Sequence, residues 1–356
     1  MSGLLTRFCL SPFFAASALA LASFTPGTLL AQSSERMGSF DISEVFLNPV
    51  LEFQGEEDGG FLLRDSYIGF QWSRGEQFNA VLKLGSSDLV EPAIFFNRSP
   101  QNSFGLTEMY MEGESRIGAI KVGLLKTGFG FESNFQQWTA ILPPSRIRSG
   151  RWYAQRDYGL QLSWNSAPWE TSITVHNGES LPAQDGRFWA TAHWLYRGNR
   201  DGGFRLLVTA QTGQSKPAAT NASAAAAEGF LFDGNEASKI RQGTLALIYE
   251  WHRSLWLLEG HSGQILQKDL KHPFVGGRMD AVIHLGGDLG LLLRHEKLAP
   301  DQGNPLKNEA ASTLGFVLHS KDQLYSLSIY GTALQEESSI KNDIYGAQFR
   351  IRSHLF

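Results

Sequence analysis

The stretch YGLQLSWNSAPWETSITVH, residues 158–176, decides the fold. Tyr158, Leu160, Leu162 and Trp164 share one parity, with Gly159, Gln161 and Ser163 on the other. A turn signal, Asn165-Ser166-Ala167-Pro168, follows, and then Trp169, Thr171, Ile173 and Val175 alternate with Glu170, Ser172, Thr174 and His176. An apolar residue at every second position gives an extended chain one face for a nonpolar medium and one for a polar medium, and helical spacing is absent. Two such runs about a short turn predict a hairpin.

The alternation continues in both directions. RFWATAHWLYR (187–197), FRLLVTAQ (204–211), GTLALIYEW (243–251), LGFVLH (314–319) and LSIYG (327–331) repeat it. About 16 strand centres follow, near residues 48, 68, 81, 109, 120, 160, 172, 192, 207, 247, 257, 279, 292, 316, 328 and 348. Their connections are sorted by parity. The even ones are tight, as at 73–75, 112–115, 165–168, 197–203, 252–254, 286–288 and 320–322. Most odd ones are longer: 86–104, 127–154, 178–186, 213–239, 263–273, 298–309 and 335–341.

A soluble sandwich has no reason to sort its loops in this way. An outer-membrane barrel does, because its periplasmic turns are short and its external loops long. A strand of about 10 residues, rising ~3.3 Å each and tilted ~40°, climbs roughly 25 Å, the height of the apolar band. The fold class is therefore all-β: a transmembrane antiparallel barrel of about 16 strands. Trp72, Trp164, Trp169, Trp194, Tyr196, Tyr249 and Trp251 fall near strand ends, as interfacial girdles require. The Ala-rich tract 219–229 reads as an external loop.

The first 31 residues carry Arg7, an apolar run from Phe8 to Phe24, a Pro26-Gly27 break and Ala31, the pattern of a cleaved secretory signal. Residues 32–39 form a short N-terminal segment and 40–356 the barrel. Cys9, the only cysteine, lies within the signal, so neither a disulfide framework nor a thiolate site remains in the mature chain. A net charge of −4 gives no nucleic-acid signature. The histidines form no His-x-x-x-His pair, and no Gly-x-Ser-x-Gly turn occurs. No metal, cofactor or catalytic residue is expected. Two alternatives stay open: an outer-membrane barrel enzyme of lipase or protease type, and a soluble exported β-rich binding protein.

The chain's last stretch, YGAQFRIRSHLF (345–356), places Phe349 and Ile351 opposite in parity to Arg350 and Arg352. A barrel leaves no strand edge in lipid, so this strand is expected to pair with the first. Phe349, Ile351 and the terminal Phe356 resemble the assembly signal of bacterial outer-membrane proteins, which implies the barrel assembly machinery as a partner. Outer-membrane lipids and lipopolysaccharide are partners of any such barrel.

One segment carries a family resemblance. LTEMYMEGESRIGAIKVGLLKTGFGFE (106–132), then Arg156-Asp157-Tyr158-Gly159 and Asn177-Gly178, resembles the phosphate-selective porin O and P family. The matching residues are Glu108, Val122-Gly123, Lys126 and Phe129-Gly130, while Gly128 stands where the family has proline. The resemblance implies a 16-stranded homotrimeric porin in a Gram-negative outer membrane. It also implies that residues 127–154 fold into the lumen as a constriction loop. It does not imply phosphate.

Charge on an inward loop sets channel selectivity. The candidates are basic Lys126, Arg146, Arg148, Arg151 and Arg156, with Glu132 and Asp157 as counter-charges. The alternative is an external loop whose arginines meet lipopolysaccharide or nearby acids. Lumen-parity charges elsewhere mix signs. Lys83, Lys121, Arg187, Arg205, Arg278, Arg294, Arg350 and Arg352 are offset by Asp65, Glu108, Glu112, Glu170, Glu250, Glu259, Asp280 and Glu296. Pairs facing each other across water would hold a transverse field with little net selectivity. The expected function is passive diffusion of small hydrophilic solutes and ions, with a slight preference for small anions.

Overall fold

The computed structural model describes residues 39–54, 58–63, 66–74, 78–86, 96–97, 105–135, 141–149, 152, 156–178, 187–198, 203–215, 225–226, 237–267, 270–300, 302, 308–319, 325–336 and 344–353. The first strands are β1 (Ser39–Leu47), β2 (Pro49–Gln54), β3 (Asp58–Leu63), β4 (Tyr67–Arg74), β5 (Phe78–Gly85), β6 (Phe96–Asn97), β7 (Gly105–Ser115) and β8 (Gly118–Lys126). Two short helices follow, α1 (Gly130–Asn134) and α2 (Arg146–Ser149). Next come β9 (Arg156–Ser166), β10 (Trp169–His176), β11 (Trp189–Arg197), β12 (Phe204–Ser215), β13 (Ala225–Ala226) and β14 (Ser238–Trp251). The last are β15 (Ser254–Gln267), β16 (Leu270–Gly286), β17 (Leu289–Ala299), β18 (Glu309–His319), β19 (Tyr325–Glu336) and β20 (Ile344–Ser353).

β1 and β2 form one passage and β3 and β4 another, because β2 pairs with β3 and β1 with β4. With β6 and β13 set aside as a two-residue pairing between connections, the described strands make sixteen antiparallel passages. The ladder returns to its start. β20 pairs with β19 on one edge, and on the other with β1 (Leu47 opposite Ile351) and β2 (Leu51 opposite Ala347). The hairpin read from residues 158–176 forms as expected, with Leu162 opposite Ile173 and Leu160 opposite Val175.

Parity separates two faces. Leu160, Ile173, Val175, Trp194, Leu245, Leu258, Met279, Leu314, Phe316 and Ile329 are all exposed and point outward. Their polar neighbours Thr174, Thr191, Thr209, Gln211, Thr244 and Thr313 are buried on the inner face. Girdle aromatics sit where the spacing put them: Trp169 and Tyr196 face each other with ring centroids 5.0 Å apart.

One expectation changes. The connection at 263–273 is not long, since β15 and β16 extend until only residues 268 and 269 separate them. Within the Ala-rich tract read as an external loop, Ala225 and Ala226 pair with Asn97 and Phe96 of the connection between β5 and β7.

The interior is layered. One apolar cluster joins Phe129, Ile147 and Trp152 of the 127–155 connection to Trp189, Ile240, Ile265, Phe274 and Leu298 of the wall. A second joins Phe131, Phe135, Ile141 and Leu142 to Leu195, Leu207, Ile248, Leu257, Val282, Leu292 and Val317. Polar and charged residues form a belt between them. The connection therefore lies inside the barrel against β11 to β19, on the face opposite the exposed apolar band.

Candidate functional site

The inward connection begins with a backbone that only glycine adopts easily. Gly128 and Gly130 have φ of +74° and +73°. Proline, held near −65°, could not take this conformation at 128. Phe129 and Phe131 then enter the two apolar clusters, and Phe131 stacks on Phe135 at 5.0 Å.

Glu132 is the anchor. It is 4% exposed and lies 2.6 Å from Arg278 Nη1, and it accepts hydrogen bonds from Ser145 N and Oγ at 3.1 Å. Arg278 also lies 2.8 Å from Glu259, which accepts from Phe131 N at 2.9 Å. Arg294 binds Asp280 at 2.7 Å and donates to the Pro143 carbonyl. Arg146 donates to Glu309 at 2.8 Å, and its backbone N–H donates to Glu296 at 3.2 Å. Burial acts to raise the pKa of Glu132, but Arg278, Arg148 and Arg294 outweigh it and hold the carboxyl below its ordinary range. The loop is thus latched by charge in a region already stripped of water.

The motif residues Asp157, Gly159 and Gly178 come together in space. Asp157 is fully buried, accepts from Gly178 N–H, and lies 2.7 Å from His176 Nδ1. A Cβ at Gly159 would strike Val175 O, and one at Gly178 would strike the Trp189 indole. From Asp157 a hydrogen-bonded belt crosses six strands. His176 Nε2 meets Thr191 Oγ1 at 2.9 Å, and Thr191 accepts from Gln211 at 2.9 Å. Gln211 accepts from Gln242 at 2.6 Å, and Gln242 accepts from His261 at 2.9 Å. Because each amide oxygen only accepts, Gln242 donates to Gln211 and His261 donates to Gln242.

Thr191, His176 and Asp157 have the contacts of a nucleophile, base and orienting acid. The Thr191 side chain is 1% exposed and already takes a hydrogen bond from Gln211, so the arrangement is sealed from substrate. Thr191, Gln211, Gln242 and His261 escaped the sequence reading. Their only trace was polar residues on inward parity, which a wet lumen also predicts.

The opposite wall is more open. Lys83 lies 3.7 Å from Glu44 and 3.6 Å from Glu108, with side chains 15%, 14% and 4% exposed. Glu108 also meets Arg156 at 3.1 Å and Lys126 at 3.9 Å. Lys121 pairs with Glu112 at 3.2 Å, each 27% exposed. On the packed wall, Arg205 pairs with Glu250 at 2.9 Å and lies over the Phe135 ring.

Charges expected to face one another across water therefore pair along the walls, and Arg278 and Arg294 are buried under the loop. Arg350 and Arg352, with Phe349 and Ile351, lie in β20, whose pairing alone is described. Arg151, Asp65 and Phe356 lie outside the described residues. Among the described residues no group of His, Cys, Asp and Glu could hold a metal ion.

The chain matches no known protein-family profile and no curated protein. Solved structures do resemble it. OmpT, an outer-membrane protein of Vibrio cholerae, aligns with a TM-score of 0.60 and 8% identity over 91% of this chain and 100% of its own. The outer-membrane channel DcaP of Acinetobacter baumannii gives 0.59 and 8% over 91% and 100%. An anion-selective porin from Comamonas acidovorans gives 0.56 and 12% over 88% and 99%. At these identities the likeness is one of fold alone. The chain has the porin-type transmembrane β-barrel fold of bacterial outer-membrane proteins.

Proposed function

We propose that this protein is an outer-membrane porin. It passes small hydrophilic solutes and ions by passive diffusion through an off-centre aqueous path between the docked connection and the wall of β4 to β8. The observation that carries this reading is the asymmetry of the interior. One wall is dry under the connection, while Lys83, Glu112 and Lys121 on the other stay partly exposed. Beside the docked connection three bases, Lys83, Lys126 and Arg156, stand with two acids, Glu44 and Glu108. This excess of one positive charge supports a weak anion preference. Each base has an acidic partner, so strong phosphate capture of the kind named in the O and P family is not part of the proposal. The sealed Thr191 hydroxyl supports a channel over a barrel enzyme, and the exposed apolar band opposes a soluble binding protein.

Residues 1–31 direct export and are removed, Phe349, Ile351 and Phe356 engage the barrel assembly machinery, and the working form is a homotrimer. Planar-bilayer recording in a salt gradient tests the central claim. The expected result is ohmic conductance with a reversal potential displaced slightly toward that of the anion. Absence of conductance by folded protein would defeat the channel, and strong cation preference would defeat the charge assignment.

A further inference from the structure

Glu108, on the partly exposed wall, is surrounded by bases. Its two carboxylate oxygens meet Arg156 at 3.1 Å, Lys83 at 3.6 Å and Lys126 at 3.9 Å. The four side chains come from four neighbouring strands, β5, β7, β8 and β9. Nearer the short turn after β7, Glu112 and Lys121 pair one to one.

Backbone and packing fix this arrangement. Lys83 faces Glu108 in register, and the ladder is bulged between Lys83 and Leu84. A bulge re-aims a side chain at one chosen point. Here Thr107 and Glu108 are both buried while Met109 is exposed, and the Thr107 hydroxyl donates to the Lys83 carbonyl at 3.1 Å. Lys83 Nζ also lies 4.8 Å from the centroid of the Tyr67 ring, a cation–π contact that steadies it. Lys126 and Arg156 face one another across β8 and β9. Several cations converging on two oxygens is how a protein holds an oxyanion taken from solution. Arg156 is packed away, but the Lys126 side chain is 30% exposed and that of Lys83 15%, so the cradle opens to water through its lysines.

We propose that Glu108 is the specificity-determining residue of the path: its carboxylate fills an oxyanion cradle made by Lys83, Lys126 and Arg156, and so keeps passing multivalent oxyanions from lodging there. The assignment rests on the channel reading above and goes beyond its count of charges. A count treats Glu108 as one acid among several, whereas the cradle makes its position decide which anions pass without being held. A tethered carboxylate has no translational freedom left to lose on seating, so it outcompetes dilute free anions. With its charge removed, three bases converge on a position where a dianion is attracted most.

The test records chloride current through single channels in planar bilayers and adds sodium sulfate, whose anion is doubly charged throughout the working pH range. Millimolar sulfate should block the wild-type current little. Glu108→Gln keeps the shape of the side chain and removes its charge. Sulfate should then block at a concentration at least about tenfold lower, as expected for one unit charge lost from a partly buried site. Joining Lys126→Met to Glu108→Gln takes away one arm of the cradle and should reverse most of that change. Glu112→Gln removes the same charge from the same wall beside a single lysine, and its sulfate response should match the wild type. An unchanged response in Glu108→Gln would overturn the proposal. So would an equal increase in Glu112→Gln, because net charge alone would then suffice. Should Glu108→Gln give no folded band, Glu108→Asp takes its place, since it draws the carboxylate back from the bases but keeps its charge. A smaller increase in block then supports the proposal, and no increase overturns it. A wild-type protein that folds but passes no current would instead sink the channel reading, and this proposal with it.

Discussion

Arg278 holds more of the interior together than its place in the sequence suggests. Its guanidinium lies 2.6 Å from Glu132 and 2.8 Å from Glu259, with its side chain 1% exposed. Buried ion pairs are weak sources of net stability, because desolvation offsets their attraction, but breaking one is expensive. The network therefore acts to fix where the connection docks. Arg278→Ala leaves two carboxylates facing each other without a cation between them. It should cost about 3–5 kcal/mol of folded stability, seen as a lower temperature for loss of the folded form, and should bring unsteady, larger conductance as the connection loosens. A variant with unchanged melting and current would remove Arg278 from this role.

At this scale the sequence was partly legible. The inward parity of Arg278 and Arg294 and the place of Glu132 on the 127–154 connection could be read, but their burial could not. A period-2 pattern tells which side of a sheet a residue takes and says nothing about what lies over that side.

At the scale of elements, strand existence and order were readable because hydrocarbon imposes an apolar residue at every second position. The reading failed where that constraint ends. Between 263 and 273, the outward positions Gln264, Leu266, Lys271 and Pro273 belong to the ends of β15 and β16 above the apolar band, so their mixed character looks like a loop.

The inward connection gives an element-scale prediction. Its docking depends on the charge of Glu132, whose folded pKa is depressed despite burial by Arg278, Arg148 and Arg294. A depressed carboxyl contributes fully above its ordinary value and loses that contribution as pH falls through the lower folded value. Docking should hold at neutral pH and mildly acid pH and weaken only below the ordinary carboxylate range. Protease cleavage within 127–155, measured on folded protein at pH 7 and in strong acid, should appear only in acid. Glu132→Gln should be cleaved at both. Equal resistance of the wild type across that range would show that the apolar clusters alone hold the connection.

For the whole molecule, closure of sixteen passages followed from the alternation, but closure alone predicts a lumen wetted around its full circumference. The structure divides it. Gln71, Glu112 and Lys121 lie on the partly exposed wall, whereas Thr244, Ala246 and Thr313 lie inward on the packed wall at 4%, 0% and 5% exposure. The only cysteine falls in the segment read as a cleaved signal, so single cysteines can map the water path. Gln71→Cys, Glu112→Cys and Lys121→Cys should react readily with a charged, membrane-impermeant thiol reagent and reduce single-channel current. Thr244→Cys, Ala246→Cys and Thr313→Cys should stay unmodified in the folded channel and react once it is denatured. A thiolate forms and a charged reagent arrives only where water does, so the two sets separate wet wall from dry wall without reference to any solute. Comparable labelling of both sets would mean that the connection does not seal β14 to β18, and the off-centre path would give way to an open ring.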